Sequence, residues 1–565
     1  MNLSMYSSLR ALAASLLFVV AAAQAAEPPD RVFVNARVWT GDAAQPAAEA
    51  FALRGDRILA VGSSESVRAL AGRHTVVTDL GGRRVVPGFN DAHWHLPARR
   101  SARLDNCGSV EEIQRRLVAY AKSHPADAWL MGRGWTPADF PDNAAHKRYL
   151  DAVFPYRPVL IRDRDGHQAL ANSRALALAG VTRATPDPED GRIDRDAAGE
   201  PTGLLKEAAS RLVSQLLPAV TADETYAILM EEMDSASAFG LTSLQDASEG
   251  GLTDNERGAV MRALAEGRLR VRYRAAVPFE KDPTPAQLAS YRALDDSVRG
   301  TLVSYGVAKV MLDGTVDART AAMLEPYEGF AERGLAMWTP DDLTATVAAY
   351  DKAGLQVQVH AIGDAAVRMT LDAFENAAAV NGPRDRRHRI EHIEVPSISD
   401  LPRFRKLGVI ASTQPIFALP DANTLQNYAP LLGPARASHS NAFKLFDVAG
   451  AVQAFGSDYP VYPMDPLLGI YTAATRQTPQ GRPPGGWYPE NRISVEAALR
   501  HYTRDAAYAS FEEQDKGTLS AGRFADFVVL SEDILALAPE QLLKAKVLLT
   551  VMGGRETYRA PGFTP

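Results

Sequence analysis

The stretch Val85 to Pro97, VVPGFNDAHWHLP, runs from an apolar segment into two histidines, His93 and His95, separated by one residue. Side chains two apart on a strand share a face, so both imidazoles leave one strand end in the same direction and can grip one metal ion. The pair alone also fits two ordinary hydrogen-bonded polar residues. With only eleven histidines in the chain, the positions of the others carry information. His360 closes LQVQVH, His392 closes the HRIEH of a second apolar run, Asp458 follows AVQAFGS, and Lys309 lies within GVAKVMLDG. Taken singly, each admits a plain reading as a cap, an ion-pair partner or a buried hydrogen-bonded group. Together they form a set of nitrogen and oxygen donors suited to a divalent transition metal.

The elements that must position these residues are legible as alternating apolar runs and helical patterns. Eight candidate strands span Val85 to Phe89, Leu241 to Asp246, Val271 to Val277, Val307 to Leu312, Leu355 to His360, His388 to Ile393, Val409 to Gln414 and Val452 to Gly456. One intervening helix shows the logic: Thr339 is the N-cap, Pro340 takes the first helical position, Asp341 and Asp342 complement the dipole, and Leu343, Val347 and Tyr350 share a face. Thr221 and Glu224 make a capping box for a second helix that Gly240 ends. Strand-helix alternation favours a parallel sheet covered on both faces, and eight strands favour a closed (β/α)8 barrel of the TIM type. All six donors then lie at or near the carboxyl ends of strands, where side chains of a barrel converge.

The connection between the first two strands is about 150 residues, far beyond an ordinary crossover, so an insertion of about 107–217 is expected to cap the barrel mouth. Two β-rich stretches at opposite ends of the chain, 26–86 and 515–565, are expected to pair into one composite β-sandwich domain flanking a barrel at 87–514. The first thirty residues carry Arg10, an apolar run from Ala11 to Ala23 and the small-x-small pattern Ala23-Gln24-Ala25, which reads as a signal peptide at 1–25 cleaved after Ala25 and implies a periplasmic or secreted protein. The single cysteine, Cys107, allows no internal disulfide and reads as inert filler. A formal charge of −7 without a basic block gives no footprint for nucleic acid, and no later stretch is long and apolar enough to span a bilayer.

The motifs VVPGFNDAHWH, DGHQALANSRAL, KVMLDGTVDARTA, HAIGDAAV, RIEHIEV, STQP, GSDYPVYPMDPL and KGTLSAGRFADFVVL run in one order over nearly the whole mature chain. In this the sequence resembles the metal-dependent amidohydrolase superfamily, in the branch with a large insertion after the first strand that includes N-substituted formamide deformylases. The resemblance implies the same barrel and flanking sandwich, with His93, His95 and Asp458 on one metal ion, His360 and His392 on a second, and Lys309 bridging them as a carbamate. It implies zinc as the cofactor, a small-molecule substrate, and Asp458 as the group that takes a proton from an activated water and returns it to the leaving nitrogen. Trp135 and His167 occupy recurring motifs and could line the pocket or reach the oxyanion, with packing an equal reading for Trp135. Arg319 could anchor an acidic substrate group or pair with a carboxylate, and Asp364 could orient His360 or cap a helix.

The function this implies is hydrolysis of a carbon–nitrogen bond other than a peptide bond, in an amide, N-formyl or cyclic amide. An esterase or lactonase on the same site is the enzymatic alternative, and a non-catalytic periplasmic binding or regulatory protein the alternative of another class. The leader generates a direct test. The exported protein is expected to begin at Ala26, and intact-mass measurement of a periplasmic fraction that returned the full-length chain would remove the export reading.

Overall fold

The computed structural model describes residues 27–564, so the leader expected at 1–25 lies outside the described residues. Eight short, buried segments form one parallel sheet in strict sequence order: β1 (Phe89–Trp94), β2 (Leu241–Asp246), β3 (Arg272–Pro278), β4 (Val303–Met311), β5 (Gln356–Ala361), β6 (Arg389–His392), β7 (Ile410–Thr413) and β8 (Gln453–Phe455). Helices connect consecutive strands from β2 onward, as parallel pairing requires. The expected caps are in place: the Thr339 hydroxyl accepts from Asp342 N in front of helix Pro340–Lys352, and Thr221 with Glu224 forms the capping box of helix Ala222–Ala238. Leu343, Val347 and Tyr350 are buried against the sheet.

The sheet curls until β8 meets β1. The seam is short: a parallel bridge joins Trp94 to Tyr459, His95 N donates to Tyr459 O at 2.7 Å, and Asp458 N donates to His93 O at 2.7 Å. Asp91, buried between the two strands, accepts from Ser457 N and from His93 N, and its other oxygen accepts from Ser457 Oγ. The barrel therefore closes through the residues that carry three of the six donors.

One boundary differs from the sequence pattern. The pattern puts the first barrel strand at Val85 to Phe89, but Val85 and Val86 belong to a longer strand, Val76–Pro87, that pairs antiparallel with Phe527–Leu530 near the chain end. The barrel strand begins only at Phe89. Both segments are apolar and contiguous, and only the partners divide them. At Gly88, between the two, a Cβ would lie 2.2 Å from Thr242 Oγ1 of β2, so the chain crosses from one sheet to the other where no side chain fits.

The two chain ends share a sheet whose strands follow one continuous hydrogen-bonded path: Arg555–Arg559, Val547–Met552, Phe527–Leu530, Val76–Pro87, Arg31–Trp39, Ala50–Arg54 and Arg57–Gly62. Phe33 stacks on Phe51 at 4.9 Å, and Phe527 meets both edge-on, so residues from opposite ends of the chain share one apolar cluster. Between β1 and β2 a third sheet takes the order Gly191–Arg195, Pro201–Glu207, Gln168–Ala171, Val159–Asp163, Leu130–Trp135 and Ala102–Arg103. One face packs on helix Val110–Ser123, and the other carries residues that look onto the barrel mouth. Among the described residues no helix is long and apolar enough to cross a membrane.

Glycine at 456 is a packing requirement of the seam. A Cβ there would lie 2.5 Å from His93 N and 2.9 Å from Asp91 Oδ1, which are hydrogen-bonded to each other, the carboxylate oxygen also accepting from Ser457 N. Gly456→Ala is expected to cost about 2–3 kcal/mol, the usual scale of overpacking. Chemical denaturation reads the loss, and an unchanged midpoint would show that the seam yields freely.

Candidate metal centre

Strand register brings the six donors together. His93 Nε2 lies 3.1 Å from His95 Nε2 and 3.4 Å from Asp458 Oδ1, while His95 Nε2 lies 3.0 Å from that same oxygen. Lys309, on β4, brings its Nζ within 3.4 Å of His93 Nε2. The His392 ring sits 4.7 Å from that of His93 and 4.6 Å from that of His360, linking the two ends of the group. His93, His392 and Asp458 each offer a donor atom within 4.8 Å of the other two, a spacing that fits ligands around one ion. All six residues line one cleft of about 620 Å³ at the carboxyl ends of the strands.

The charge state of the group suits coordination. Burial, followed by repulsion from Lys309 and neighbouring imidazoles, holds His93 well below the usual histidine range; burial does the same at His360 and His392, each reinforced by its neighbours. These rings are neutral and offer lone pairs at neutral pH. Lys309 is also pushed down, chiefly by burial, although Glu391 and Asp458 pull the other way.

The supporting shell explains the ring orientations. His93 Nδ1 donates to Glu391 Oε2 at 2.5 Å, which leaves Nε2 facing the cleft. Glu391 is wholly buried and receives Arg389 Nε at 2.9 Å and Nη2 at 3.2 Å. Arg389, equally buried, also donates to Gln245 Oε1, Ala92 O and Ser412 Oγ. His392 Nδ1 donates to Gln414 Oε1 at 2.8 Å. Asp313 accepts from Ala322 N, Ile362 N and Gly363 N and lies 3.6 Å from His360 Nε2; burial pushes its carboxyl up to about 7. His392, Ile393 and Asp458 all take positive φ, at 71°, 52° and 55°. Two consecutive non-glycine residues in that region, one of them β-branched, store strain where ligands leave the strand ends.

His167, in the loop before Gln168–Ala171, reaches the same cleft, with its ring 5.2 Å from that of His360. Burial works against its charge, but Glu207, whose Oε2 accepts from Nδ1 at 2.8 Å, together with Asp163 and Asp165, carries the pKa up to about 9. Glu207 is itself held by the Thr320 hydroxyl at 2.6 Å. A protonated imidazole therefore faces a group of neutral ones.

Three other candidates lie elsewhere. Trp135 is fully buried, donates from Nε1 to Ile161 O and packs edge-on against Phe140, so it belongs to the core of the inserted sheet. Arg319 stacks on Phe330 at 4.1 Å and pairs with Glu332 at 3.3 Å, outside the cleft lining. Asp364 accepts from Leu324 N at 2.7 Å, tying a loop to the start of helix Asp364–Asn381, and the carboxylate near His360 is Asp313 instead. Cys107 is half-buried, and burial raises its thiol to about 12, which leaves it unreactive. The motifs and apolar runs of the sequence do not mark Glu391, Arg389 or Glu207 as site residues. The available signal was Arg389 and Glu391 at i and i+2 on a strand buried on both faces, where two charges sharing a side need partners.

An eight-stranded parallel barrel with nitrogen and oxygen donors at its strand mouths defines a class, the barrel hydrolases with a site fit for divalent metal. A model of the amidohydrolase family matches residues 76–558, and the chain belongs to that family. It is 34% identical over 542 residues to the protein LONG AFTER FAR-RED 3 of Arabidopsis thaliana, covering 94% of this chain and 91% of that one. It is 27% identical over 552 residues to the N-substituted formamide deformylase of Arthrobacter pascens, covering 94% and 99%. Among solved structures, a metal-dependent hydrolase from Pyrococcus horikoshii OT3 superposes with a TM-score of 0.69 at 23% identity, over 90% of this chain and 99% of that one, and shows the shared fold.

The buried Glu391 generates a prediction. Glu391→Gln removes the charge that orients His93 and leaves Arg389 without its counter-ion. Metal affinity, followed by competition with a chelator, is expected to fall about 10–100-fold. Affinity equal to the parent would show that Glu391 serves packing alone.

Proposed function

We propose that the protein is a metal-dependent hydrolase of carbon–nitrogen bonds other than peptide bonds, acting on an amide, N-formyl or cyclic amide. The observation that carries this reading is the meeting of His93, His95, Lys309, His360, His392 and Asp458 around one cleft, with three imidazoles held neutral. The name of the Arthrobacter relative points to the same bond type. The leader pattern further supports work in the periplasm or outside the cell.

His93, His95 and Asp458 would hold one ion, and His360 with His392 a second. Lys309 would join them as a carbamate: its burial favours the neutral amine to which CO2 adds, and the carbamate would offer carboxylate-like oxygens where an ammonium has no lone pair. Imidazole nitrogens with carboxylate oxygens suit zinc. A bound ion lowers the pKa of water toward neutrality and polarises a substrate carbonyl.

The chain's own groups do the rest. Asp458 is set on the barrel seam, beside His93 and His95, where its carboxylate can take a proton from the attacking water and hand it to the leaving nitrogen. Nitrogen is a poor leaving group unless protonated, so this transfer matters more for an amide than for an ester. His167, charged at neutral pH and backed by Glu207, offers an N–H toward oxygen that becomes negative during addition. Phe417 and residues of the inserted sheet line the sides of the cleft.

Two measurements test the reading. Metal analysis of the purified protein is expected to find zinc, or activity is expected to rise when zinc is supplied, and failure of both would overturn it. Asp458→Asn is expected to keep the melting transition but lower amide turnover about 10²–10⁴-fold. Parent-level turnover in a metal-loaded variant would overturn the assigned role, and esters cleaved in place of every amide would move the activity to the esterase class.

A further inference from the structure

The inserted sheet carries two arginines into the metal cleft. Arg133, on Leu130–Trp135, and Arg162, on Val159–Asp163, are direct register partners on adjacent parallel strands, so their side chains leave the same face from backbones about 5 Å apart. Both residues line the cleft that holds the six donors, while Leu160 on the same face packs with Leu176 and Val213 in a second apolar cluster. The opposite face of the same strands, with Leu130, Val159 and Ile161, packs into the core of the insertion.

Neither guanidinium has a carboxylate at ion-pair distance among the described residues, although Asp105 and Asp458 act on Arg133 and Asp163 on Arg162 from further off. Arg162 Nη1 donates to Gly166 O at 3.2 Å, and Arg133 Nη2 reaches Arg164 O at 3.5 Å, while Arg133 Nη1 is buried with no partner. These carbonyl contacts aim the two groups without neutralising them. Arg164, two residues beyond Arg162, shows the contrast: it pairs with Asp421 at 2.6 Å and lies 3.8 Å from Asp165. Two half-buried, always-charged groups in one cleft lose hydration, a cost that an anion bound there would offset.

The cleft's carboxylates are in large part already engaged. Glu256 accepts from Thr253 N and Oγ1 as a helix cap, Asp165 lies beside Arg164, and Asp458 belongs to the donor group. Glu249 and Glu394 remain on the lining and would favour a cationic substrate, the opposing case that the experiment must separate.

We propose that Arg133 and Arg162 form a carboxylate clamp, and that the substrates are amides bearing a carboxylate, such as N-acyl or N-formyl amino acids. This rests on the hydrolase reading above. Hydrolysis would break the C–N bond, place the water's OH on the carbonyl carbon and its proton on nitrogen, and release an acid and an amine with no further co-reactant. The clamp holds the carboxylate on the insertion side of the cleft while the amide carbonyl lies over the donors.

The test separates binding from turnover. Calorimetric titration of N-acetylglycine, N-acetylglycinamide and the cationic N-acetylethylenediamine into the purified protein, before and after chelation, is expected to show the acid bound at least tenfold more tightly than either other ligand in both states. Arg133→Gln and Arg162→Gln are expected to erase that preference while leaving the melting transition in place, and Arg162→Lys to restore part of it. In parallel, N-formylglycine and N-formylglycinamide are offered as substrates, and the variants are expected to raise KM for the acid at least tenfold with kcat little changed. Equal binding of the three ligands, tighter binding of the cation, or a preference that survives both Gln variants overturns the clamp. Hydrolysis of amides without an acid preference overturns the clamp and leaves the hydrolase reading standing. An Arg-dependent acid preference with no amide hydrolysed upholds the clamp and overturns that reading.

Discussion

A buried carboxylate, Glu391, organises the centre of the barrel. It accepts from His93 Nδ1 on one side and from the Arg389 guanidinium on the other, with none of the three reached by solvent. Arg389 then binds β1, β2 and β7 through Ala92 O, Gln245 and Ser412, so one ion pair spans the barrel interior. Such a pair is costly to bury and still costlier to break, because either partner left alone is an uncompensated charge in a low dielectric. Its consequence is directional: with Nδ1 committed, His93 must present Nε2 to the cleft.

The closure seam works on the same residues from the backbone side. β8 is only three residues long and makes no ladder with β1; Asp91, Ser457 and the exchange between Asp458 N and His93 O join the barrel instead. Asp458 takes positive φ there, which turns its carboxylate toward His95. Fold closure and site geometry thus share one set of bonds, and the site is as rigid as the barrel is closed. The inserted sheet adds what a bare barrel lacks: His167 with its Glu207 partner, and the two arginines on the face above the donors.

Much of this was legible in the chain. The alternation of apolar runs and capped helices marks all eight strands, because a strand buried on both faces must be apolar and a surface helix must be amphipathic. The six donors stand out because titratable residues at the ends of apolar runs are conspicuous. The start of the first barrel strand was misplaced because Val85 and Val86 are as apolar as Phe89, and only pairing with Val528 and Val529 assigns them to the other sheet. Asp364 and Arg319 admit two readings each for a related reason, since a charged residue near a motif can turn to any of several neighbours; Arg319 takes the carboxylate of Glu332, and Asp364 turns to Leu324 N at the start of its helix.

The sequence alone determined the class of fold, the strand ends at which polar side chains gather and the six candidate donors, since these follow from local periodicity and residue type. Tertiary structure decided which nitrogen of His93 faces the cleft, that Asp313 and not Asp364 stands by His360, and that Trp135 packs away while Arg133 and Arg162 look in. Those are outcomes of register between segments far apart in the chain. A one-residue shift on Leu130–Trp135 would exchange the face of Arg133 for that of its neighbours, and no local pattern contains that information.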